Sequence, residues 1–116
     1  MKTTLQTNKT LFNVIKKNTI EKNMTIDTLI NQILEENKEK IKEYTHNKDK
    51  AILELLDYKD KLICLDIKEE NKDWLKMNNI KIREGVILGI YLYFKDNKMI
   101  NNSGVVFDTM KKIQGV

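Results

Sequence analysis

Apolar and polar positions change period several times along the chain, and each change marks an element. Residues 2–7, Lys-Thr-Thr-Leu-Gln-Thr, alternate loosely and are β-branched, which predicts a short strand or extended arm. From residue 9 to 22 the spacing is helical, with Leu11, Phe12, Val14, Ile15 and Ile20 as an apolar stripe and Asn8 as N-cap. Asn23 suits a left-handed position closing that helix. Thr25 or Asp27 then caps a second helix, along which Ile26, Leu29, Ile30, Ile33 and Leu34 recur on one side.

Between Glu35 and Lys50 the chain is highly charged and reads as a solvated continuation of that helix. Glu36 and Lys40 form an i,i+4 pair, and a break falls at residues 44–47. Residues 50–60 form an amphipathic helix with Ala51, Ile52, Leu55 and Leu56 inward. Residues 61–67 read as a strand with Cys64 as a small core residue. Residues 68–78 predict a short helix carrying Trp74 and Leu75, stopped at Asn78 and Asn79. The very apolar run 83–94 reads as a helix, with a buried strand as its other reading. A turn at Asp96 and Asn97 precedes a terminal helix over 103–114, with Val105, Val106, Met110 and Ile113 on one side.

These elements predict one compact, mainly α domain with short β elements over residues 1–116. A net charge of +4 and a pI near 9.1 are compatible with a polyanionic partner without requiring one. Lys, Asn and Ile are abundant, so single Lys and Asn residues carry little weight. With no Pro and four Gly, turns must rely on Asn and Asp. The single Cys excludes an intrachain disulfide framework and fits a reducing, cytoplasmic setting. No signal-peptide-like core opens the sequence, and its longest apolar run is too short for a membrane span. No phosphate loop, nucleophile elbow or ligand cluster is present, so neither catalysis, a cofactor, a metal nor a small-molecule substrate is expected. His46 reads as a surface residue. Glu69 and Glu70 read as helix-start carboxylates that favour the macrodipole.

One pattern occurs twice. Residues 23–34 run Asn-Met-Thr-Ile-Asp-Thr-Leu-Ile-Asn-Gln-Ile-Leu, and residues 79–94 run Asn-Ile-Lys-Ile-Arg-Glu-Gly-Val-Ile-Leu-Gly-Ile-Tyr-Leu-Tyr-Phe. Asn23, Met24 and Thr25 in the first segment and Asn79 and Ile80 in the second read as a closing turn, and an apolar helix follows each. A candidate strand and first helix precede each turn. The pattern resembles the turn and second helix of ribbon-helix-helix DNA-binding proteins. Glu84, Val86, Gly89, Ile90, Tyr93 and Phe94 follow that family's second helix in order, as Ile30, Ile33 and Leu34 do in the first copy. Two departures stand out: the first helix of the second copy is about a turn short, and Asn18 occupies an expected apolar position. The resemblance implies tandem units over 1–46 and 61–98.

In that fold, two strands pair into an antiparallel ribbon that enters the major groove, and second-helix N-termini meet phosphates. The resemblance therefore implies a first outward face of Lys2, Thr4 and Gln6, with Thr3 and Leu5 inward. Lys9, Lys16, Lys17, Thr25, Lys81 and Arg83 become candidate DNA contacts. On the second strand, Ile63, Leu65 and Ile67 point inward. Leu62, Cys64 and Asp66 point outward, forming a face better suited to protein. The implied function is sequence-specific double-stranded DNA binding by a homodimer of plasmid or phage type, in segregation (plasmid partition), conjugation or transcription regulation.

Residues 11–60 also resemble the three helices of a winged helix-turn-helix. The second helix would start at 24–30, the recognition helix would end within 51–63, and the wing would come from 61–83 or 90–107. A third reading is a protein-binding module, such as a phage-type inhibitor of a host protein, with segment 85–94 as the partner surface.

Overall fold

The computed structural model describes residues 2–7, 9–48, 50–57, 59 and 61–96. It is mostly helical with one small antiparallel sheet, in the order β1 (Thr3–Thr7), α1 (Lys9–Lys22), α2 (Ile26–Glu36), α3 (Lys38–His46), α4 (Lys50–Asp57), β2 (Lys61–Leu65), α5 (Glu69–Met77) and α6 (Ile82–Asp96). The expected α+β class therefore holds.

The sheet has two strands, far apart in sequence, with Thr3 opposite Leu65, Leu5 opposite Ile63 and Thr7 opposite Lys61. Both strands show the same burial sequence: half-buried, exposed, buried, exposed, buried. Strand side chains alternate between faces, so Leu5, Ile63 and Leu65 enter the core and their neighbours face out. Cys64 is among the latter. Its expected role as a core residue is corrected by the strand period: Ile63 and Leu65 hold the buried face, which leaves Cys64 exposed.

The two helix-closing turns are alike bond for bond. Asn23 and Asn79 both lie in the left-handed region, at φ 55° and 58°. At the first turn the Asn23 N–H donates to Ile20 O (3.2 Å) and the Met24 N–H to Thr19 O (3.0 Å). At the second, the Asn79 N–H donates to Lys76 O (3.1 Å) and the Ile80 N–H to Leu75 O (2.9 Å). Both are Schellman closures, which satisfy the last helical carbonyls and reverse the chain. Beyond them, the carbonyls of Thr25 and Lys81 accept the first bonds of α2 and α6, from Leu29 (3.1 Å) and Gly85 (2.9 Å). Strand, helix, left-handed Asn and helix thus follow one another twice.

Helix α6 is the centre of the molecule. Residues 85–93 are all buried, with α2, α3, α4, α5 and β1 packed around them. A helix apolar on all sides must be covered on all sides, which explains the composition of this run and why it is no strand. Two glycines permit the close approaches. A Cβ on Gly85 would stand 2.6 Å from Leu75 Cδ2, and one on Gly89 would stand 3.0 Å from Ile33 Cγ2.

Segment 35–50 departs from the expected continuous helix. Asn37 ends α2 and begins α3: its backbone N–H and its Nδ2 both donate to Ile33 O (3.1 and 2.8 Å), and its carbonyl accepts from Ile41 (2.8 Å). The break puts Glu36 and Lys40 on separate helices, and Glu36 accepts from Gln32 Nε2 instead (3.0 Å). It also turns Ile41 fully into the core, where Ile52 and Leu56 of α4 join it. Helices α3 and α4 therefore pack against α6.

Other boundaries shift by a few residues. Helix α4 ends at Asp57, and β2 ends at Leu65, although Ile67 stays buried. Ile20, expected on the inner stripe of α1, is 72% exposed, because Asn18 and Thr19 take the inward positions. Thr19 Oγ1 donates to Lys16 O (2.6 Å), and Asn18 Oδ1 accepts from the Tyr93 hydroxyl of α6 (2.7 Å). The polar Asn18 in an apolar row thus has a partner on another helix. The expected Asn8 cap, the turn residue Asn97 and the 103–114 helix lie outside the described residues, as do the side chains of Val14, Ala51, Leu55 and Phe94.

Candidate functional site

The outward face of the β1–β2 ribbon gathers exposed side chains from the start and the middle of the sequence. Lys2, Thr4 and Gln6 lie along one strand, and Leu62, Cys64 and Asp66 along and just beyond the other. Across the strands Thr4 is paired with Cys64 and Gln6 with Leu62. Thr4 Oγ1 lies 3.4 Å from Cys64 Sγ. Leu62 is 62% exposed on this face.

The starts of the two repeated second helices meet opposite ends of this ribbon. At one end Asp27, in the first turn of α2, accepts the Asp66 N–H just beyond β2 on Oδ1 (3.1 Å). At the other, Arg83 in the first turn of α6 donates through Nε to Gln6 O of β1 (2.7 Å). Asp27 and Arg83 occupy the same position after their respective Asn turns. Equivalent positions thus clasp opposite ends of the ribbon with opposite charge: a carboxylate takes an N–H, and a guanidinium takes a carbonyl.

Asn31 completes the first clasp. Its Nδ2 donates to Asp27 O (2.8 Å) and Asp66 O (2.9 Å). Its Oδ1 accepts from the Lys68 N–H (2.9 Å) and from Asn71 Nδ2 (3.0 Å). The signal for this clasp in the sequence is a polar Asn inside the apolar row of α2, whose partners lie in a distant segment.

Arg83, expected as a phosphate contact, turns its fork toward protein. Besides Gln6 O, its guanidinium donates to the carbonyl of Leu56 at the end of α4. Burial lowers its pKa, while the charges of Glu84 and Asp57 oppose that shift. Thr25 and Lys81 are exposed at matching helix starts. Thr25 Oγ1 accepts the Thr28 N–H (3.2 Å) and donates to Thr28 Oγ1 (2.8 Å), so it is the N-cap that its residue type predicts. Carboxylates near these two helix starts are occupied. Asp27 holds the ribbon, and Glu84 lies 3.2 Å from Lys48 Nζ.

Lys9, Lys16 and Lys17 are exposed along α1. Lys9 and Lys16 are two helical turns apart and share a face. Lys61, at the ribbon end near α1, lies over the Phe12 ring (5.3 Å). Sequence-predicted residues therefore divide into three groups: Lys2, Thr4 and Gln6 together on the ribbon; Thr25 and Lys81 at equivalent helix starts; and the three lysines along α1. Arg83 stands apart as an internal clasp.

Among the described residues, no group of three or more His, Cys, Asp and Glu side chains could hold a metal ion, and no helix is long and apolar enough to cross a membrane. His46 is exposed at the end of α3, and Glu69 lies 3.5 Å from Lys72 Nζ within the first turns of α5. No protein-family model, curated protein or solved structure matches the chain, so the geometry of the ribbon and its two flanking helix starts carries the functional reading.

Proposed function

We propose that the chain is a tandem ribbon-helix-helix-like protein that binds double-stranded DNA, inserting the β1–β2 ribbon in the major groove. One observation carries the reading: two strands from equivalent strand–helix–turn–helix units pair antiparallel within one chain, with Lys2, Thr4 and Gln6 outward and a second-helix start at each ribbon end. A two-stranded ribbon fits the major groove, where Lys and Gln side chains reach base edges. The starts of α2 and α6 offer their positive dipole ends to backbone phosphates. Lys9, Lys16, Lys17 and Lys81 supply nearby cationic charge. Function is non-catalytic: phosphate contacts position the protein, and ribbon side chains specify the site.

The winged helix-turn-helix reading is less well supported. Residues 61–83 form β2, α5 and the start of α6 rather than a hairpin, and residues 90–96 are helical. Since strand pairing is completed inside one chain, the homodimer expected from the sequence would join two finished ribbons on neighbouring sites. A regulator of plasmid or phage type is the biological role that fits such a molecule.

Binding to duplexes enriched from a random pool, followed by fluorescence anisotropy, tests this reading. Affinity should fall steeply with salt, with a log–log slope of about −3 to −5 for three to five phosphate contacts. The variant Lys2→Ala/Thr4→Ala/Gln6→Ala should retain salt-dependent binding to any duplex while losing preference for the enriched one. A flat salt response would count against DNA and in favour of a protein partner at the same face.

A further inference from the structure

The ribbon has a repeated backbone but not a repeated surface. The matching burial of β1 and β2 pairs Thr4 with Leu62 and Gln6 with Cys64 as equivalent outward positions about an axis between Leu5 and Ile63. At each, a polar side chain on one strand is replaced by an apolar or weakly polar one on the other. Resting on the DNA-binding reading above, we propose that this ribbon reads a non-palindromic site, with Gln6 contacting an adenine and its cross-strand neighbour Leu62 contacting a thymine methyl.

A ribbon of two identical strands presents the same donors and acceptors twice, related by a two-fold axis, and so matches a palindrome. Here that symmetry is broken at both outward pairs inside β1 and β2. Gln6 carries a donor and an acceptor on one amide, which match N7 and N6 of adenine together. Leu62 carries neither, and the base feature it can recognise in the major groove is the thymine C5-methyl. Side chains directly opposite across strands are about 5 Å apart at Cβ. This suits one A·T pair or two neighbouring ones, whose adenine edge and thymine methyl lie side by side. Exposure fits the same occupant: Leu62 is 62% exposed on a face that also holds Lys2, Thr4 and Gln6. A DNA groove accommodates that mixture, since it offers polar edges and methyl groups together.

The test uses the full chain and its enriched duplex. Each thymine is replaced in turn by deoxyuridine, which removes the C5-methyl alone, and dissociation constants are measured for the wild type, Leu62→Ala and Gln6→Ala. The proposal expects an enriched sequence without two-fold symmetry. It also expects one deoxyuridine position that weakens wild-type binding about fourfold, the effect of one buried methyl, and leaves Leu62→Ala unaffected. Gln6→Ala should keep that deoxyuridine effect and lose discrimination at an adjacent A·T pair. A palindromic consensus, or a methyl effect unchanged in Leu62→Ala, overturns the asymmetric readout while leaving DNA binding in place. Absence of salt-dependent enrichment overturns both. Leu62 is exposed, so circular dichroism of Leu62→Ala should match the wild type, and a loss of binding cannot then be assigned to unfolding.

Discussion

Asn23 and Asn79 show how much one residue type settles. Each sits at positive φ between a first and a second helix. Asn tolerates this conformation better than residues with longer or branched side chains. Asn79→Ala should therefore lower stability by about 1–2 kcal/mol, and Asn79→Gly should leave it unchanged or raise it, as read by urea unfolding. Equal effects of Ala and Gly would remove the left-handed turn as the cause. Arg83 and Asn31 matter for a different reason, because each satisfies buried or half-buried backbone groups of another segment. Asn31→Leu keeps approximate volume but strips partners from the Lys68 N–H and from Asn71, costing about 1–3 kcal/mol for each buried group left unpaired. Thr28, exposed one turn earlier, provides a control substitution with a much smaller effect. The strand alternation, both turns and the Thr25 cap were legible from residue types alone. The destination of Arg83 was not, because a guanidinium at a helix start suits a phosphate and a carbonyl equally well.

Helix α6 governs the elements. Its apolar run read as a helix, with a buried strand as the other reading, and its central place depends on neighbours from the whole chain. Gly85 and Gly89 allow α5 and α2 to approach, and α3 and α4 pack over another side through Ile41, Ile52 and Leu56. Gly85→Ala gains about 1 kcal/mol of helix propensity but drives a methyl into the buried Leu75 side chain. Overpacking of this kind costs about 1–3 kcal/mol, so the net change should be destabilising, with a lower melting temperature in calorimetry. An increase in that temperature would mean that Leu75 has room to move. The periodicity of segment 35–50 misled because charged residues dominate it. Asn37 interrupts the helix and rotates Ile41 inward, a consequence of one side-chain amide bonding the carbonyl of Ile33.

For the whole molecule, the decisive event is pairing of Thr3–Thr7 with Lys61–Leu65 inside one chain. A strand pair made between chains would tie stability to protein concentration, whereas one made within a chain does not. The unfolding midpoint should therefore be the same across a hundredfold range of concentration, measured by circular dichroism in a series of urea titrations. A midpoint that climbs with concentration would show that folding is coupled to association of copies in the absence of DNA, through the ribbon or through a contact between finished ribbons.

Residue types and their spacing specify the local pieces: two strands with one inward face each, helices closed by left-handed asparagines, and an order of elements repeated once. Local propensity, period and turn chemistry act over a few residues, so they can be read without knowing what lies across the core. Tertiary structure decided which strand pairs with which, how Asp27 and Arg83 clasp opposite ribbon ends, and why a polar Asn18 and Asn31 can sit inside. Each of these depends on a partner supplied from a distant part of the chain, and residue type alone does not specify that partner.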